Sequence, residues 1–103
     1  MSRRELLLQF LADHPSDAFA RYGLAMEEAG AGNVEQALAE FARLRTDHPD
    51  YVAGYHQAAQ LLLARERRAE AREQLQSGLA AAERQGDRHA ASEMQALLDE
   101  MGG

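Results

Sequence analysis

Asp13-His14-Pro15 recurs later in the chain as Asp47-His48-Pro49. Small and apolar residues recur at the same offset, pairing Ala25 with Ala59, Ala37 with Ala71, and Phe41 with Leu75. This offset, a period of about 34 residues, is typical of a repeat made of two helices joined by a turn. The sequence therefore predicts two successive helical hairpins. Ala25, Ala37, Ala59 and Ala71 are the small residues expected where neighbouring helices cross closely.

The composition favours helices throughout. The chain has 103 residues, which allow one compact domain with a modest core. Val34, Thr46 and Val52 are its only β-branched residues. Because such residues suit pleated sheets and helix formers dominate the remainder, we expect an all-α fold.

Charge and residue usage exclude several kinds of function. The formal net charge is −6, and an acidic surface repels phosphate backbones, so we expect no nucleic-acid partner. There is no cysteine, which removes thiolate metal sites and a cysteine nucleophile. The aliphatic runs are too short to span a membrane, and Glu5, Gln9 and Asp13 interrupt the segment that a signal peptide would need. We expect a cytoplasmic protein.

Apolar periodicity places the helices of both repeats. The first repeat, residues 16–49, has helices at about Asp17 to Ala29 and Val34 to Arg45. The second repeat, residues 50–85, has helices at Tyr51 to Ala64 and Ala69 to Arg84. Residues 3–13 form a half-repeat or lid helix, and residues 87–101 form a capping helix with an apolar stripe at Met94, Leu97, Leu98 and Met101. All six helices belong to one predicted domain, 1–103.

Local signals predict where these helices begin and end. Ser16 and Asp50 each follow a proline and are predicted N-caps. Asn33 is a third, with Gln36 as its capping-box partner. Gly86 suits a left-handed helix end, and Asp87 suits the cap that follows it.

These residues resemble the tetratricopeptide repeat family. The first repeat has Leu24-Ala25 at the family's Leu-Gly position, followed by Gly32, Ala37, Phe41 and Pro49 at the family spacing. It departs from the family pattern at Arg21, where an aromatic residue is usual, and at Glu28, where tyrosine is usual. The second repeat keeps Tyr55, Ala59, Ala71 and Leu75 but has Glu66 in place of the turn glycine and Glu83 in place of the closing proline.

The resemblance implies a right-handed α-α superhelix of two tetratricopeptide-like repeats with flanking N- and C-terminal helices. It also implies an adaptor or scaffold that presents a concave groove to a peptide or helix of a partner protein, without catalysis or a cofactor. By position, the partner-binding groove consists of Phe19, Tyr22, Met26, Ala29, Ala53, His56, Gln60 and Leu63. Relatives that clamp a C-terminal carboxylate use lysine, which this chain lacks.

Several residues admit two interpretations. Tyr22 suits either the core or the groove, and His56 is either a ligand contact or a structural residue. His14 and His48 lie at predicted helix ends, where a histidine meets favourable carbonyl dipoles, and lie too far apart to share a metal. The basic cluster Arg65, Arg67, Arg68 and Arg72 is interleaved with glutamates, which favours a solvated face of mixed charge over a site for an acidic partner.

Self-association is the alternative function. A short helical stack exposes its end faces, and the leucine-rich first helix could dock on a second copy to form a homodimer through terminal helices. The enzyme hypothesis has little support, because no metal-ligand motif, phosphate loop or nucleophile arrangement is present in the sequence.

Overall fold

The computed structural model describes residues 1–102, and within them the chain forms six α-helices and no strand. The helices are α1 (Arg3–Asp13), α2 (Ala18–Gly30), α3 (Val34–Asp47), α4 (Val52–Ala64), α5 (Arg68–Gln85) and α6 (Arg88–Met101). The all-α prediction is confirmed. The helices group into two compact units, residues 1–48 and the residues from Pro49 onward.

Side-chain caps begin three of the helices. Ser2 accepts from the backbone N–H of Glu5 at the start of α1, and Asp17 accepts from that of Ala20 at 2.8 Å at the start of α2. Asp87 caps α6 as predicted, accepting from Ala90 N–H at 3.1 Å. Each bond satisfies an amide that has no partner within its helix.

Two of the other predicted caps were wrong, and the third is correct in position only. Asp17 rather than Ser16 caps α2, because the turn that follows Pro15 continues one residue further. Asp50 does not cap α4, whose N-cap is Tyr51 without a side-chain bond, and Asp50 instead accepts from Arg84 at 2.7 Å. Asn33 is the N-cap of α3 but makes no side-chain cap bond, so the expected capping box with Gln36 does not form.

The turns inside the two hairpins have the same hydrogen bonds. In the first, Gly32 N–H donates to Ala29 O and Asn33 N–H donates to Glu28 O, at 3.1 and 2.9 Å. In the second, the equivalent amides of Glu66 and Arg67 donate to Leu63 O and Leu62 O, at 3.0 and 2.9 Å. This is the Schellman pattern, in which a left-handed residue closes the helix. The turn that the 34-residue register predicts at Glu66, between α4 and α5, is therefore confirmed.

In the first unit α2 packs against both α1 and α3. Leu7 and Leu11 of α1 contact Ala20 and Leu24 of α2. Further buried residues of the unit are Ala25, Ala37, Phe41 and Leu44. Ala37, Phe41 and Leu44, spaced i, i+4 and i+7, therefore form the buried side of α3.

In the second unit α5 packs against both α4 and α6. Its core is Ala59, Leu75, Ala82 and Met94, flanked by the apolar stripe of α6. α5 lies close to both neighbours at Gly78, where an added Cβ would lie 2.6 Å from Met94 Sδ and 2.7 Å from Tyr55 Cβ. Ala59 and Ala71 are fully buried, as are their equivalents Ala25 and Ala37 in the first unit, so small residues occupy the predicted positions for helix crossings.

Candidate binding surfaces

One face of α2 carries the first half of the predicted groove. Phe19, Tyr22, Met26 and Ala29 are spaced i, i+3, i+7 and i+10, so they line one side of the helix. Phe19 is 73% exposed and Met26 37% exposed, while Tyr22 and Ala29 are half-buried. We call these four residues the α2 strip.

Tyr22 packs on α3 and is half-buried. Its ring meets that of Phe41 edge to face, with centroids 6.4 Å apart. Burial raises the pKa of its hydroxyl above the ordinary value, because the charged phenolate is poorly solvated there. Tyr22 therefore supports the packing of α2 on α3 from one side of its ring and remains partly accessible on the other.

The equivalent face of α4 carries the second half. Ala53, His56, Gln60 and Leu63 occupy the positions of the α2 strip one repeat later, and we call them the α4 strip. Ala53 and Gln60 are exposed, and His56 and Leu63 are half-buried. The Nε2 atoms of Gln60 and His56 lie 3.4 Å apart, so both polar groups lie one helical turn from each other on this face.

Two charged residues lie buried on α2. Arg21 is 8% exposed; its Nη1 donates to Glu40 of α3 at 2.7 Å, and its Nη2 donates to Pro15 O at 3.0 Å. Glu28 is 4% exposed and accepts from Arg4 of α1 at 2.7 Å. These are the two positions that depart from the family pattern, and in both cases an ion pair replaces an aromatic contact. Sequence reasoning did not find either pair, because each partner lies on a different helix, far outside the reach of local spacing.

The second repeat makes the hydrogen bond of Arg21 to the proline carbonyl with a different residue type. Tyr55 is the equivalent of Arg21, and its hydroxyl donates to Pro49 O at 2.7 Å. Each repeat therefore ties the carbonyl of its proline to the first turn of its first helix. These hydrogen bonds fix the positions of α2 and α4, the helices that carry the α2 strip and the α4 strip.

The histidines outside the strips have local contacts. His14 and His48 are the C-caps of α1 and α3. His14 stacks on Phe10 with ring centroids 4.5 Å apart, and His48 Nε2 lies 2.6 Å from Ser16 O. His89 lies 2.9 Å from Glu93, one turn along α6. Within residues 1–102 no three metal-binding side chains come together.

The basic cluster makes contacts inside the second unit. Arg67 pairs with Glu70 at 2.9 Å, and this bond lowers the pKa of the Glu70 carboxyl. Arg68 and Arg72 donate to the carbonyls of Met101 and Gly102, at 2.7 and 3.1 Å. Arginines at the C-terminal end of a helix satisfy carbonyls that lack intrahelical partners. This role was not predicted from sequence.

The helices described here include none whose length and apolarity would suit a membrane span. The α2 strip is partly aromatic, and the α4 strip combines a small residue, an aliphatic residue, an amide and an imidazole.

Comparison with solved structures identifies similar proteins. The solution structure of a tetratricopeptide repeat domain protein from Salinibacter ruber is 32% identical, with a TM-score of 0.80, over 86% of this chain and 90% of that one. A crystal structure of a tetratricopeptide repeat domain protein from the same organism is 33% identical, with a TM-score of 0.70, over 79% and 90%. A Bordetella parapertussis protein is 27% identical, with a TM-score of 0.81, over 97% and 87%. No protein-family profile and no curated protein sequence matches the chain.

Proposed function

The chain belongs to the tetratricopeptide repeat family, and on that premise we propose that it is a non-catalytic adaptor that binds a segment of a partner protein. The α2 strip and the α4 strip are the proposed contact surfaces. The strips occupy the same register in two repeats, which supports a common role. That they line one concave groove stays a prediction, as does the cytoplasmic location.

The observation that carries the proposal is the exposure of Phe19 and Met26 on α2. The same helix buries Leu24 and Ala25 on its other side. The core of the unit is therefore built from that side, and Phe19 and Met26 are apolar residues outside it. Exposed aromatic and methionine side chains lose contact with water when a partner covers them, and such residues supply much of the binding energy at protein interfaces.

The chemistry of the strips indicates the class of ligand. The α2 strip offers two aromatic rings, a thioether and a methyl group, which suit an apolar anchor of the partner. The α4 strip adds an imidazole and an amide, which suit hydrogen bonds to main-chain or polar groups. An apolar anchor of a peptide fits the α2 strip, and polar groups of a peptide fit the α4 strip.

A display library of random peptides tests the proposal. Peptides selected on the wild-type chain should bind the Phe19→Ala variant about tenfold or more weakly, because the most exposed anchor of the α2 strip is lost. His56→Ala should weaken the same peptides to a smaller extent. Isothermal titration calorimetry with each selected peptide provides the measurement.

Leu8→Ala is the matched control. Leu8 is also a partly exposed apolar residue of the first unit, but it lies on α1 and outside both strips. Its variant should bind the selected peptides with wild-type affinity. Unchanged affinity of the Phe19→Ala, Tyr22→Ala and His56→Ala variants would show that the strips are not the binding surface.

A further inference from the structure

A strip of α1 is exposed although it carries two large apolar residues, Leu6 and Phe10, of the kind that pack between helices. Arg3, Leu6, Phe10 and Asp13 are spaced i, i+3, i+7 and i+10, which places them along one side of the helix. Leu6 is 54% exposed and Phe10 44% exposed. We call these four residues the α1 seam. Leu7 and Leu11, which pack on α2, lie on the adjacent side.

The internal repeat shows what this register does elsewhere in the chain. The equivalent residues of α3, one repeat later, are Ala37, Glu40, Leu44 and Asp47. Ala37 and Leu44 are fully buried, and Glu40 pairs with Arg21 of α2. In α3, then, a neighbouring helix covers this strip. The equivalent strip in α1 keeps two large apolar residues but has no helix over it among residues 1–102.

The α1 seam has a positive charge at one end, Arg3, and a negative charge at the other, Asp13, and this order indicates which surface it binds. We propose that the α1 seam binds the α1 seam of a second copy of this chain, with the two helices antiparallel. A two-fold axis between Leu6 and Phe10 sets each Leu6 opposite the partner copy's Phe10 and each Arg3 opposite the partner copy's Asp13. Opposite charges then meet at both ends. A parallel pairing would set Arg3 against Arg3 and Asp13 against Asp13.

The charged ends are able to make these contacts. Asp13 is exposed and makes no ion pair within the described residues. Arg3 is also exposed; its Nε atom lies 2.9 Å from Glu27 and its Nη2 atom faces Gly23 of α2, which leaves Nη1 for a second carboxylate.

The outer side of α6 lacks such a seam. His89, Ser92, Glu93 and Ala96 stand where the second repeat has Tyr55, Ala58, Ala59 and Leu62, the buried residues of α4. A polar side on α6 disfavours a head-to-tail contact with the apolar seam, whereas the seam is complementary to itself. The interface is therefore isologous, and it closes at two copies.

One pair of short helices forms a small contact, so the dimer is weak and reversible, with a dissociation constant in the micromolar range or above. Sedimentation equilibrium of the whole chain, from micromolar to millimolar concentration, should show a monomer–dimer equilibrium. Leu6→Glu should raise the dissociation constant roughly tenfold or more, with unchanged helical circular dichroism because Leu6 supports no core contact.

Charge exchange distinguishes this seam from any other self-contact. Arg3→Glu and Asp13→Arg should each weaken the dimer, since each sets like charges against each other at both ends. An equimolar mixture of the two variants should associate again, because each then meets its complement, and so should the double variant. Both changes place at each end of α1 the charge that its dipole favours. Because Arg3→Glu also sets a carboxylate against Glu27 in place of the 2.9 Å ion pair, thermal unfolding of every variant is measured beside its association.

Three outcomes would overturn the proposal. They are a monomer at every concentration, a dimer that Leu6→Glu leaves intact, and single charge variants that the mixture does not restore. Selected-peptide binding by the α2 and α4 strips is measured separately, so failure of the seam and failure of the proposed adaptor role are distinguishable.

Discussion

Glu66 occupies the left-handed backbone region at φ 61°, where the first repeat has Gly32 at φ 82°. The two residues close equivalent turns with equivalent hydrogen bonds. A side chain in this region is strained by its Cβ, at a cost of about 1 kcal/mol, whereas glycine is not. The second repeat therefore stores strain that the first does not.

Exchanging these residues should change stability in opposite directions. Glu66→Gly should raise the free energy of unfolding by about 0.5–1 kcal/mol, and Gly32→Ala should lower it by about 1 kcal/mol. Urea denaturation followed by circular dichroism measures both. A Glu66→Gly variant that is less stable than wild type would contradict the account of this turn.

Arg21 and Tyr55 occupy equivalent positions in the two repeats, and each donates a hydrogen bond to the carbonyl of the preceding proline. Arg21 needs Glu40 to balance its charge, and the second repeat has Gln74 at the position equivalent to Glu40. The ion pair of Arg21 and Glu40 in the first repeat therefore corresponds to two neutral residues, Tyr55 and Gln74, in the second repeat.

Arg21→Tyr alone should destabilise the chain by about 2–4 kcal/mol, because the partly buried Glu40 carboxylate loses its partner. Adding Glu40→Gln should recover most of that loss, since both positions then match the second repeat. A double-mutant cycle in urea gives the coupling energy. Additive effects of the two substitutions would mean that the pair does not act as a unit.

Helix packing in the second unit depends on Gly78. Its α-carbon faces Tyr55 of α4 and Met94 of α6 so closely that a methyl group would overlap both. Because one of the two atoms is a Cβ near the backbone, relief requires a shift of α4 as well as of the flexible methionine.

Gly78→Ala should therefore lower the free energy of unfolding by about 1–3 kcal/mol, despite the better helix propensity of alanine. Gly30 in α2 is the matched control, since nothing lies within 4 Å of a Cβ added there. Gly30→Ala should raise stability by roughly 0.5 kcal/mol. Equal gains in thermal unfolding temperature for both variants would show that the α4–α5–α6 contact is looser than described.

At the scale of elements, the sequence predicts much of what the structure contains. The repeat period and the apolar spacing were sufficient for six helices, and the period alone placed the turn at Glu66. The predicted caps Ser16 and Asp50 were wrong because capping depends on where a loop ends, which one residue changes. The ion pairs of Arg21 and Glu28 could not be read from spacing, since their partners come from other helices.

At the scale of the whole molecule, buried positions were easier to predict than binding surfaces. Ala25, Ala37, Ala59 and Ala71 were expected at crossings, and all four are fully buried. The strips on α2 and α4 follow from the family resemblance, and their residues show the exposure that such a role needs without identifying a ligand. Self-association through the first helix was expected from the sequence, and the exposure of Leu6 and Phe10 indicates which side of α1 the proposed contact uses. Their equivalents in α3 are the ion-paired Glu40 and the buried Leu44.

The adaptor role rests on ligand contact at the first helices of both repeats. Backbone NMR spectra recorded during titration with a selected peptide test this most directly. The account predicts that the largest chemical-shift changes fall on Phe19, Met26, His56 and Gln60, with small changes at exposed positions of α3 and α5 such as Arg43 and Gln76. Changes centred on α3 and α5, with the α2 and α4 strips unaffected, would contradict it.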